Sequence, residues 1–309
     1  MPMFRHRVGV TTFGVVLLLL APACASSPEE PSPSPTTGTA SASSTTRSPT
    51  STPAPATTTS SPKPTTATPT KPKQTSRTTT PAPITPGPST PAPKVPIPAS
   101  LIGHAVGRIP TSSKVVALTF DAGANGDGVD SIVATLAREK VASTFFLTGD
   151  FVDSYPALAI RMSAAGRLGN HTTDHPHLPT LTDAQLRTQV TSARTTILRV
   201  TGEDPRPLFR FPFGDSGQRE LRLVNDLGYV AVGWTVDTLG WQGTSGGRTV
   251  DSVVQRVLSA ATPGEIVLMH VGSNPRDHST LDADALPRII SGLRAAGYSF
   301  LTLDALGAG

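Results

Sequence analysis

Val115-Val116-Ala117-Leu118-Thr119-Phe120-Asp121-Ala122-Gly123 is the stretch on which the fold turns. Apolar and β-forming residues run into a carboxylate and then a glycine, the pattern of a buried strand that delivers Asp121 to a loop. Downstream, Val129 to Lys140 has helical spacing, with Ile132, Val133, Leu136 and Ala137 on one face. Thr144 to Leu147 reads as a second strand. Pro156 to Ala165 reads as a helix opened by proline and stopped at Gly166. Leu168 to Asn170 is a brief strand, and Asp183 caps a helix that runs to the region of Val200. Strands are also predicted at Leu208 to Arg210, Tyr229 to Val236, Ile266 to His270 and Ser299 to Leu303, with helices starting near Gly217, Val250 and Asp284.

Strands alternating with helices make a parallel sheet covered by helices. About seven such strands fit a closed or nearly closed barrel, whose chemistry sits where strands end and loops begin. Polar groups follow the apolar runs in just this way: Asp121, the pair His171 and His175, Arg210, Asp237 and His270. Gathered at one end of a sheet, they form an inventory for water activation, metal binding, oxyanion stabilisation and leaving-group protonation.

The two ends of the chain differ in kind. Residues 1–24 read as an export signal: basic Arg5 and Arg7, an apolar run from Val8 to Leu20, then Ala21-Pro22-Ala23 as a cleavage site. The run is short for a membrane span, which needs about 20 apolar residues. An exported, extracellular or cell-surface protein is expected. Cys24 is the only cysteine, so no intramolecular disulfide can form. It reads either as a lipid-bearing N-terminus that tethers the chain to a membrane or as a free thiol left by ordinary cleavage. Residues 25–100 read as a disordered Pro/Ser/Thr-rich spacer. They hold 19 of the chain's 31 prolines and no aromatic residue, and so have nothing to bury against the entropy of ordering.

The net charge of +4 belongs to these ends: Arg5 and Arg7 contribute +2 and the spacer +4, which leaves −2 on residues 101–309. A mildly acidic folded region argues against nucleic acid as a partner. A basic spacer suits an anionic cell wall, although solvated lysines explain it almost as well.

Each chemical motif has a plain structural alternative. His171 and His175 stand at i and i+4, which on a helical turn would put both imidazoles on one side, able to hold Zn²⁺ or a similar ion. An incidental pair in a polar loop would look the same. Asp121 is a general base or a helix cap, Arg210 a carboxylate clamp or a surface ion pair, His270 an acid or a core histidine, and Trp241 a pocket wall or packing. His177, beyond Pro176, falls outside the ligand spacing.

Five motifs in order shift that balance: Thr119-Phe120-Asp121-Ala122-Gly123, His171-Thr172-Thr173-Asp174-His175, Arg210-Phe211-Pro212-Phe213-Gly214, Asp237 with Trp241, and Leu268-Met269-His270. Together they resemble the NodB-homology polysaccharide deacetylases, carbohydrate esterase family 4, over residues 101–309. The resemblance implies an α/β fold, a distorted, incomplete (β/α) barrel. It also implies metal-dependent removal of N-acetyl groups from an amino-sugar polymer, bacterial peptidoglycan above all. Alternatives are an O-acetyl esterase on a polysaccharide such as xylan and a non-catalytic wall-binding relic. One divalent ion, zinc by expectation, would sit on His171 and His175. Asp121 would be the base, Arg210 its clamp, His270 the acid and the Phe213 N–H an oxyanion donor, with Leu268 and Trp241 around the acetyl methyl. A monomer is expected.

Two positions depart from the family pattern. Ala122 stands where relatives carry a metal-binding Asp, so the third ligand is expected from Asp127, or alternatively from Asp121, Asn125 or water. Gly240 stands where an Asp usually orients the acid histidine, and Asp237 is expected to replace it by pairing with His270 or Arg210.

Overall fold

The computed structural model describes residues 97–307. The expected export signal, Cys24 and nearly all of the spacer lie outside the described residues. After a 3-10 turn, Ala99–Leu101, come nine strands: β1 Ala105–Val106, β2 Val115–Ala122, β3 Ser143–Leu147, β4 Arg167–Asn170, β5 Leu208–Phe209, β6 Val230–Val232, β7 Val236–Asp237, β8 Glu265–His270 and β9 Ser299–Phe300. They form one parallel sheet in the order β1-β6-β5-β4-β3-β2-β8-β7, with β9 beside the start of β2. Helices α1 Val129–Glu139, α2 Gly149–Ser154, α3 Pro156–Ala165, α4 Asp183–Thr201, α5 Gln218–Asp226, α6 Val250–Ala260 and α7 Leu281–Ala295 lie between them. The expected distorted, incomplete (β/α) barrel is the observed fold.

Strand periodicity sorts the core. Val116, Leu118, Phe120 and Ala122 of β2 face the helices and pack with Ile132, Leu136 and Ile289. Ala117 faces the other side, among Ile266, Val230 and Leu208, so Asp121 also points away from the helices. Local signals hold the helices in register. Thr182 and Gln185 form a reciprocal capping box on α4, and Gly202 ends that helix at φ 78°.

The sequence reading of Tyr229 to Val236 as one strand is corrected by the structure. Gly233, Trp234 and Thr235 break it into β6 and β7, which pair at opposite ends of the sheet. This break forms the seam of the barrel. The Gly233 N–H donates to Val106 O (2.9 Å) and the Thr235 N–H to Ile266 O (2.8 Å), while Arg108 forms an antiparallel bridge with Glu265. Three residues thus span the gap between β1 and β8. Helix α2 was not anticipated, being only six residues long and opened by Gly149. Helix α7 starts at Leu281, about one turn earlier than the pattern suggested.

Candidate active site

A cavity of about 550 Å³ opens at the C-terminal ends of the strands, and Asp121, His171, His175, Asp237 and His270 all reach it. Asp121 and His270 are register partners on β2 and β8, so their side chains leave the sheet at the same level. Arg210 follows β5 directly and is wholly buried. Its Nη1 donates to Asp121 Oδ1 at 2.7 Å, its Nη2 to Gly233 O at 3.1 Å and its Nε to Val232 O at 3.5 Å. Phe146 lies against the guanidinium, 4.2 Å from ring centre to Cζ, and Trp234 stands 5.8 Å away. A charge this deep is tolerable only when paired and hydrogen-bonded. Burial pushes the Asp121 carboxyl up, but Arg210, followed by His171 and His270, overcomes it and holds the group below the usual carboxylate range. The result is a buried carboxylate whose charged form is favoured by its partners.

The histidine pair is reached by a different route from the one expected. Residues 171–177 form a kinked loop rather than a helical turn, with Thr172 at φ 71° and His175 at φ 60°. Asn170 sets the kink: its Oδ1 accepts the Thr172 N–H, and its amide donates to Val190 O and to the Tyr229 hydroxyl. The rings stand 4.7 Å apart, edge to face. Burial pushes His171 down and His175 down to about 4, so both are neutral imidazoles at physiological pH.

His171 Nδ1–H donates to Arg210 O at 2.8 Å, which leaves the Nε2 lone pair facing Asp121 Oδ2 at 3.5 Å. His171 Nε2 and the His175 ring thus stand beside the Asp121 carboxylate as neutral imidazoles that fit a divalent ion. Among the described residues no three His, Cys, Asp or Glu side chains already close on one point.

Asp127 does not supply the missing ligand. It is exposed, its Oδ2 accepts the Ser273 hydroxyl at 2.6 Å, and it is absent from the cavity wall. Asn125 is spent on the same turn: its side-chain amide donates to Ser273 O and its Oδ1 accepts the Ser273 N–H. Six residues along the chain from Asp121, the loop has already turned away. Ala122 faces the helix-side core.

Asp237 lines the cavity but makes neither expected pairing. Its Oδ1 accepts the Leu239 N–H at 2.8 Å and its Oδ2 faces Trp241 Nε1 at 3.4 Å. The carboxylate beside His270 is Asp282, from the first turn of α7, whose Oδ2 accepts the His270 main-chain N–H at 2.8 Å and lies 3.7 Å from Nδ1. Burial pushes His270 down; Asp282, with Asp121 and Asp237 adding to it, reverses this and raises the imidazole above its usual range.

Phe213 sits at φ 60° after Pro212, a left-handed kink that throws its ring to the rim, 57 % exposed. The ring lies edge-on to His175 and is stacked on His177 at 4.0 Å, so Phe213 offers the cavity a ring as well as the expected main-chain N–H. Leu268 is buried in the wall opposite half-exposed Trp241. His175 and Phe213, two of the six non-glycine residues with positive φ among the described residues, line this cavity, as expected of strain held at a functional site.

The polysaccharide deacetylase family model matches residues 108–232. The chain is 32% identical over 198 residues to a peptidoglycan-N-acetylglucosamine deacetylase of Bacillus cereus, covering 64% of this chain and 70% of that one. This chain belongs to the polysaccharide deacetylase family. The family, carbohydrate esterase 4, is one of hydrolases. The fold matches the Bacillus subtilis family 4 carbohydrate esterase PdaA with a TM-score of 0.61 at 31% identity, over 68% of this chain and 88% of that one. It also matches a family 4 pseudoenzyme of Bacillus anthracis with a TM-score of 0.60 at 28% identity, over 66% and 69% of the two chains. Family membership and turnover are therefore separate questions, and the latter depends on the groups in the cavity.

Proposed function

We propose that this family member removes N-acetyl groups from the amino sugars of bacterial peptidoglycan, as an exported wall hydrolase that depends on one divalent ion. The observation that carries the reading is the buried Arg210–Asp121 pair beside His270, an ionised base and a protonatable acid at one level of one cavity.

His171 and His175 would hold the ion with water completing its sphere, and when bound it supplies Lewis-acid polarisation of water and the acetyl carbonyl. Asp121 Oδ2 accepts the proton of the attacking water while Arg210 fixes Oδ1. The Phe213 main-chain N–H and its left-handed turn face the developing oxyanion. His270 gives its proton to the departing sugar nitrogen, and Leu268 and Trp241 enclose the methyl group of the acetate that leaves. Peptidoglycan is favoured by the named activity of the Bacillus cereus relative and by a basic spacer of wall-threading length.

Acetate release by the full chain from peptidoglycan, chitooligosaccharide and acetyl-xylan, with chelator and metal add-back, tests this. Release from peptidoglycan that stops with chelator and returns with metal is expected. Release confined to acetyl-xylan would move the activity to an O-acetyl esterase, and wall binding without any release would make the chain a pseudoenzyme.

A further inference from the structure

We propose that Asp282 is the positioning residue of His270, a carboxylate from α7 occupying the space that Gly240 leaves open. The proposal rests on the deacetylase reading for its chemistry and on side-chain geometry for its substance.

Asp282 is 3 % exposed, and an acid so deeply buried needs partners. One oxygen has its partner in the main chain of His270. The other, Oδ1, is buried without any hydrogen bond, as is His270 Nδ1. His270 Nδ1 stands 3.7 Å from Oδ2 of the same carboxylate. A small rotation of either closes that gap to a hydrogen bond, and catalytic contacts are often long in unliganded sites. With Nδ1–H turned to Asp282, the ring is left in the tautomer and orientation in which Nε2 faces the cavity.

The space explains why the carboxylate comes from α7. A β-carbon on residue 240 would lie 2.6 Å from Asp282 Cγ and overlap Oδ1. Residues 240 and 282 therefore compete for one volume, and only a glycine at 240 admits an acid at 282. Other charged groups near the ring are engaged elsewhere. Asp237 is occupied by the Leu239 N–H and Trp241, and Asp121 by Arg210.

A purely structural Asp282 would only tie α7 to the end of β8 through the His270 N–H. Asp282→Asn keeps that bond and the shape while removing the charge. In the full chain, kcat for acetate release from peptidoglycan is expected to fall roughly 10–100-fold, with KM within about twofold. Gly240→Asp combined with Asp282→Ala is expected to recover about tenfold over Asp282→Ala alone, because the acid then comes from the other side of the same volume.

Nitrogen-15 NMR of the His270 ring gives a readout that needs no turnover. In its neutral form, above the pH at which the ring loses its acidic proton, the wild-type ring is expected to carry the remaining proton on Nδ1, and Asp282→Asn to redistribute it between the two nitrogens. An unchanged kcat in Asp282→Asn, or an unchanged ring spectrum, overturns the assignment. Should the wild-type chain release no acetate from any substrate, the deacetylase reading fails while the ring spectra still decide the role of Asp282.

Discussion

Two buried carboxyls sit at opposite ends of the same barrel. Asp121, at the C-terminal end of β2, has Arg210 at 2.7 Å and is held below the usual carboxylate range. Glu265, at the N-terminal end of β8, is fully buried with no hydrogen-bond partner on either oxygen, and burial pushes it up to about 7. Desolvation acts on both in the same direction. The partner alone decides whether the group is a charged base or a neutral acid near physiological pH. The barrel spends its one fully buried arginine, among the described residues, at the end where chemistry happens.

Arg210→Met should erase that difference most drastically, by turning Asp121 into a second unpartnered acid. Stability should fall by roughly 3–5 kcal/mol at neutral pH, measured by urea unfolding. The acid limb of the pH–rate profile should move up, because the base is lost as pH falls through a pKa no longer held down. Asp121→Asn keeps the volume but removes the base and strands the buried Arg210 charge, so acetate release should drop by about 10²–10⁴-fold and stability should fall by roughly 3–5 kcal/mol. Full activity in that variant would end the assignment of Asp121.

Glu265→Gln probes the other end. The folded-state pKa of Glu265 lies above its unfolded value of 4.5, so the folded state binds the extra proton and wild-type stability declines as pH rises from there to about 7. The variant should match wild type near pH 4 and exceed it by about 3 kcal/mol at pH 8. A constant difference across that range would show that the carboxyl is not what titrates. The smallest effect is expected from Thr182→Ala, remote from both ends. Losing the α4 cap should cost about 1 kcal/mol without changing kcat.

What the sequence could disclose follows from how each group is held. Asp121, Arg210 and His270 sit where a strand runs out, and the apolar run that precedes each one marks its place. Asp282 carries no such mark. It reads as an ordinary acid just ahead of the helix expected from Asp284, and only the tertiary approach of α7 to Gly240 makes it a partner for the acid histidine. Asp127 erred in the opposite direction, because closeness along the chain is not closeness to a cavity once the loop has turned. The histidine spacing was visible, but its helical explanation was not the operative one, since Asn170 and two left-handed residues do the turning. Trp234 was hidden inside what read as continuous strand, at the point where the backbone leaves one edge of the sheet for the other.

That crossing has a consequence for how the molecule fails. Val232 and Gly233 lend their carbonyl oxygens to Arg210, and Gly233 also hydrogen-bonds Val106 on the neighbouring edge strand. Loosening of this three-residue stitch on warming would unlatch the guanidinium before the rest of the sheet lets go. Heat should silence the enzyme below its melting point, with the stitch acting as its fuse.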